Sequence, residues 1–67
     1  MEKVYLTVSN LTAHSEKEFK KFIDSVYGIE DVSVDLEKNR VIVDFKPPAS
    51  VDSIIVILNN LGYEVVL

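Results

Sequence analysis

Sixty-seven residues, 48% of them apolar and 27% charged, allow one small globular domain and exclude a disordered chain. The absence of cysteine excludes disulfides, thiolate metal sites and thiol catalysis together. Eleven acidic against seven basic residues leave a net charge of −4, which opposes nucleic-acid phosphate and anionic membranes alike.

Residues 3–8, "KVYLTV", alternate polar and apolar side chains, which predicts a half-buried strand with Val4, Leu6 and Val8 facing inward. From Ser15 to Tyr27 the period lengthens to three and four. That predicts a helix with Phe19, Phe22, Ile23 and Val26 on its core side and Lys17, Glu18, Lys21 and Asp24 outside. Ser15-x-x-Glu18 at its start reads as a capping box, and Gly28 stands as its stop. Residues 31–36 alternate again, with Val32, Val34 and Leu36 on one face. Glu37-Lys38-Asn39-Arg40 then joins them to a strand from Val41 to Phe45, which makes a β-hairpin.

Lys46-Pro47-Pro48-Ala49 breaks the alternation. Ser50 is placed to cap a second helix, with Asp52 in the first turn to complement the helix dipole. The β-branched run Ile54-Ile55-Val56-Ile57 would suit a strand equally well. The Pro-Pro entry, the cap and the spacing of Val51, Ile54, Ile55, Leu58 and Leu61 decide for an amphipathic helix. Gly62 ends it, and Tyr63 to Leu67 forms a last short strand.

The order β-α-β-β-α-β predicts a ferredoxin-like α+β fold over a single domain, residues 1–67. Right-handed crossovers put both helices on one face of a four-stranded antiparallel sheet. The open face carries Tyr5, Thr7, Ser33, Asp35, Ile42, Asp44, Glu64 and Val66. One aromatic among three acids lacks the positively flanked aromatics with which sheets of this topology bind RNA, so no nucleic-acid partner is expected. No apolar run approaches the ~20 residues of a membrane helix, so membrane insertion is not expected. Met-Glu-Lys enters the first strand pattern directly, unlike a signal peptide, so a cytoplasmic location is expected. The glycosylation triplet Asn10-Leu11-Thr12 is then a chance match.

With these elements in order, the chain resembles the heavy-metal-associated domain of copper chaperones and of the N-terminal modules of metal-pumping ATPases. "VYLTVSNLT" resembles the family's first strand and following loop, "YGIEDVSVDLEKNRVIVDF" its hairpin, and "LGYEVVL" its closing Gly-Tyr strand. The resemblance implies a Cys-x-x-Cys pair for a soft ion such as Cu(I) after Leu11-Thr12. Here Ala13 follows instead, and the second position falls on Glu16 counting forward or on Ser15 counting back from Gly28. Both sulfurs are missing.

Few groups remain for chemistry. His14, the single histidine, could join Glu16 at a Zn²⁺ or Ni²⁺ ion, but a zinc site needs three or four ligands and no third is spaced to help. No nucleophile–base constellation occurs, so neither an enzyme nor a cofactor is expected. The resemblance implies partner docking through basic residues of the first helix, which are Lys17, Lys20 and Lys21 here. Val56 and Ile57 on the second helix, and Tyr5, Ile42 and Val66 on the sheet, are further candidates for contact with a protein partner or a second copy. The reading is a non-enzymatic member without its thiolate site, acting by protein contact. The alternatives are a weak or intermolecular His14/Glu16 metal site and a small-molecule regulatory domain on the same topology.

Overall fold

A computed structural model describes residues 2–23 and 25–66, with the backbone alone at Ile23. The expectations for the Ile23 side chain, for Asp24 and for Leu67 lie outside the described residues. The elements follow the order β1 (Glu2–Val8), α1 (Ser15–Ile23), β2 (Ile29–Asp35), β3 (Arg40–Phe45), α2 (Val51–Asn60) and β4 (Val65–Val66). The sheet is antiparallel in the order β2-β3-β1-β4, the ferredoxin-like arrangement.

The alternation of β1 and β3 sets their register. Val4 lies opposite Val43 and Leu6 opposite Val41, so these inward positions meet apolar side chains. Leu6, Val8, Val41, Val43 and Phe45 are buried against the helices, together with Val32, Phe19, Ile54, Leu58 and Tyr63. Phe19 is fully buried and meets Tyr63 edge-on at 4.8 Å and Phe22 at 6.0 Å, which joins α1 to the start of the β4 segment.

Several boundaries differ from the sequence pattern. β2 begins at Ile29, two residues before the alternation suggests, because a register shift between Ile29 and Asp31 interrupts the period. Leu36 belongs to the hairpin turn, not to the inner face, and is 47% exposed. Asn39 (φ 52°) completes that turn, and β3 takes in Arg40. α1 ends at Ile23, four residues short of Tyr27. The Ser25 hydroxyl and amide both donate to the Phe22 carbonyl, and residues 25–28 form turns in which Val26 still packs on the core. Gly28 therefore closes a loop; its φ is +99°. β4 covers Val65–Val66, so Tyr63 and Glu64 of the expected strand precede it.

α2 is helical, as its cap predicts. The Ser50 hydroxyl accepts from the Ser53 amide and the Ser53 hydroxyl from the Ser50 amide, a complete capping box. The centre of its buried stripe is the expected one, and only the ends of that stripe are uncovered. Ile54 and Leu58 are buried and Ile55 is half-buried, but Ile57 also packs on the core while Val51 and Leu61 are exposed. Among the described residues no helix is long and apolar enough to cross a membrane.

Candidate functional site

The loop between β1 and α1, residues 9–14, is where the resemblance places its chemistry. Its last four residues and the helix start fold into one tight turn. The Ser15 amide donates to the Thr12 carbonyl (3.1 Å), the Thr12 amide to the Ser15 hydroxyl (2.9 Å), and the His14 amide to the Thr12 hydroxyl (3.2 Å). The two hydroxyl oxygens lie 3.3 Å apart and share a hydrogen bond. Ser15 is fully buried.

This corrects the expected capping box. Ser15 is the first residue of α1 and points back to Thr12, while the Glu18 carboxylate accepts a 2.6 Å hydrogen bond from the Tyr63 hydroxyl, 45 residues away. Burial raises the Tyr63 phenol above its ordinary value of 10.0. The hydrogen bond and the charge of Glu18 raise it further, and the Ser15 hydroxyl pulls it partly back. Asn10 makes a second tie across the fold. Its amide nitrogen donates to the Gly62 carbonyl (2.9 Å) and its oxygen accepts from the Glu64 amide (2.8 Å). The backbone adds Ser9 N–H to the Glu64 carbonyl at 3.0 Å.

His14 is exposed, and the Glu16 carboxylate is paired with Lys20 at 3.3 Å. Among the described residues no three His, Asp or Glu side chains gather. The donors of the loop are oxygens, and a soft ion such as Cu(I) prefers sulfur, so the residues present do not fit the family's cargo. No buried side-chain nitrogen or oxygen among the described residues lacks a partner. The loop therefore holds no orphaned donor set aimed at an ion.

Lys17, Lys20 and Lys21 are exposed on α1, Lys20 being engaged with Glu16. On α2, Val56 is 56% exposed as expected, but Ile57 is half-buried against the core, so the two do not form a common exposed patch. On the sheet, Tyr5 (57% exposed) lies opposite the half-buried Ile42, with the exposed Val66 one register step away opposite Thr7. The Arg40 guanidinium sits 5.4 Å from the Tyr5 ring, a cation–π contact between residues 35 apart that leaves no mark in the alternation. The apolar space between the helices and the sheet, lined by Phe19, Val43, Ile54 and Leu58 among others, measures about 10 Å³, too small for a metabolite. The pattern in sequence named His14 and Glu16; the bonds that organise the site come from Asn10, Thr12, Ser15 and Tyr63.

Comparison with known proteins adds to this geometry. Residues 6–64 match the heavy-metal-associated domain family. A COP-associated protein of Helicobacter felis is 33% identical over 63 residues, which cover 92% of this chain and 96% of that protein. The solution structure of apo-CopP from Helicobacter pylori is 33% identical with a TM-score of 0.81, covering 97% of this chain and 100% of that one. The CopZ metallochaperone superimposes with a TM-score of 0.85 at 21% identity, over 97% of this chain and 100% of its own, a likeness of fold.

Proposed function

Because this chain belongs to the heavy-metal-associated domain family, we propose that it is a non-enzymatic member that has given up ion binding and acts by protein contact. A copper binding domain of a P-type ATPase, 25% identical to this chain, ties the fold to copper handling. The observation that carries the reading is the absence of every cysteine from a chain that keeps the whole fold around the site. Soft-ion binding rests on thiolates, and the loop offers hydroxyls that already bond one another. The exposed lysines of α1 next to that loop would favour an acidic partner surface, with contact strength falling as salt rises. The Tyr5/Ile42/Val66 area of the sheet is the second contact surface in this reading. A cytoplasmic location belongs to the same proposal.

The His14/Glu16 metal site finds less support, because Glu16 is already held by Lys20. The test is a titration of isotope-labelled protein with Cu(I) and with Zn²⁺. The amide signals of residues 10–18 should stay in place. Stoichiometric, saturable shifts there would overturn the reading.

A further inference from the structure

Loop 9–14 is over-tied for a simple connection. Inside it, four hydrogen bonds close the Thr12–Ser15 turn. Across the fold, the Asn10 side chain spans the Gly62 carbonyl and the Glu64 amide, and the Tyr63 hydroxyl reaches Glu18 in the first turn of α1. Loops normally keep few fixed side-chain bonds and open easily.

The position of the turn gives these bonds a meaning. Two side chains three residues apart, Thr12 and Ser15, bring their terminal oxygens to 3.3 Å at the start of α1. The pair that counting forward from Leu11-Thr12 suggests does not meet in this way, whereas the count back from Gly28 ends on Ser15 itself. Ala13 has no polar atom on its side chain, and Glu16 turns to Lys20. Ser15 is fully buried with its hydroxyl satisfied, so nothing at this point awaits a ligand.

We infer that the loop is latched from within the chain: the Thr12–Ser15 hydroxyl pair fills the seat that paired thiolates would leave for an ion, Asn10 fastens the loop to the segment between α2 and β4, and Tyr63 fastens the first turn of α1 to the same segment. The loop then keeps one conformation whether or not metal is present. The latch stands independently of any protein partner.

Amide hydrogen exchange read by NMR tests it. In the unaltered chain the Thr12 amide, which donates to the Ser15 hydroxyl, is protected, and so is the Glu64 amide, which donates to Asn10. Ser15→Ala raises exchange at Thr12 and Asn10→Ala raises it at Glu64, each by roughly tenfold, the factor expected from losing one hydrogen bond. Ser15→Ala changes the Glu64 amide, and Asn10→Ala the Thr12 amide, no more than it changes the amides of β1 and β3, which separates local opening from the shared loss of global stability. A Thr12 amide that exchanges freely in the unaltered chain, or unchanged in Ser15→Ala, would refute the latch. The seat is checked separately with Cd²⁺ as the probe. Thr12→Cys/Ser15→Cys should take up one ion per chain at least tenfold more tightly than Ala13→Cys/Glu16→Cys. Equal or tighter binding by the second pair, or none by either, would overturn the assignment of the seat.

Discussion

The Tyr63 hydroxyl joins the α2–β4 segment to α1 in a domain whose whole stability is ~3–10 kcal/mol at this length, so one bond to a charged group is a sizeable fraction of it. Tyr63→Phe keeps the ring against Phe19 and removes only the hydroxyl, so the expected loss is ~1–2 kcal/mol, read as a lower urea midpoint at unchanged slope. The same group carries a pH dependence. Its folded value is raised, so its contribution is complete below the unfolded value of 10.0 and is lost as pH rises through the folded value. The stability gap between the natural chain and Tyr63→Phe should therefore be constant through neutral pH and narrow above about pH 10. A gap that stays constant to pH 12 would show that the phenol is not held neutral by the fold. None of this was visible along the chain. Alternation and helical period report which way a side chain faces, and a bond between residues 45 apart leaves no periodic trace.

At the scale of elements, what could be read depended on how polar residues were distributed. β1 and β3 alternate cleanly, and their inward sets came out as expected. Around α2 the apolar run Ile54-Ile55-Val56-Ile57 crosses both faces, yet Asp52, Ser53, Asn59 and Asn60 share one side with Val56 and turn Ile54 and Leu58 to the core, while Val51 and Leu61 are exposed at the ends of the helix. The exposed residues Val51, Val56 and Leu61 recur every five positions and so spread around the helix, which argues against α2 as a continuous contact face. Its start was legible because Ser50 offers a cap. Ser50→Ala should cost ~1 kcal/mol, while Ser50→Gly should cost a few tenths at most, a difference that thermal unfolding resolves. The two glycines make a sharper pair. A Cβ on Gly28 would lie 2.6 Å from the Lys46 carbonyl oxygen and 2.8 Å from the Ala49 amide nitrogen, at φ +99°. On Gly62, at φ +93°, it would meet nothing within 4 Å. Gly28→Ala should cost ~2–4 kcal/mol through strain and collision together, and Gly62→Ala ~1–2 kcal/mol through backbone strain alone. Equal losses would mean that the backbone at Gly28 moves aside freely.

At the scale of the whole molecule, the fold has survived without the feature around which its relatives are named for metal. A thiolate site links stability to its ion, because anything bound to the native state alone adds RT ln(1 + [L]/Kd) to the unfolding free energy. At a ligand concentration one hundred times Kd that addition is ~2.7 kcal/mol. This chain has no sulfur ligand but methionine, its loop oxygens are satisfied by one another, and no three candidate ligands gather among the described residues. Its stability must come from the apolar layer between helices and sheet and from the ties around loop 9–14. The urea midpoint should therefore be the same in Zn²⁺, in Cu(I) under reducing conditions and in a strong chelator. The comparison separates two ways of being a metal-free relative. A chain that had lost only affinity would still gain stability at high ion concentration, rising with the logarithm of that concentration, whereas a chain whose loop is closed by its own hydroxyls gains none at any concentration that leaves the unfolded state unbound. A midpoint that climbs steadily with added ion would place the molecule in the first class and return His14 and Glu16 to consideration as ligands.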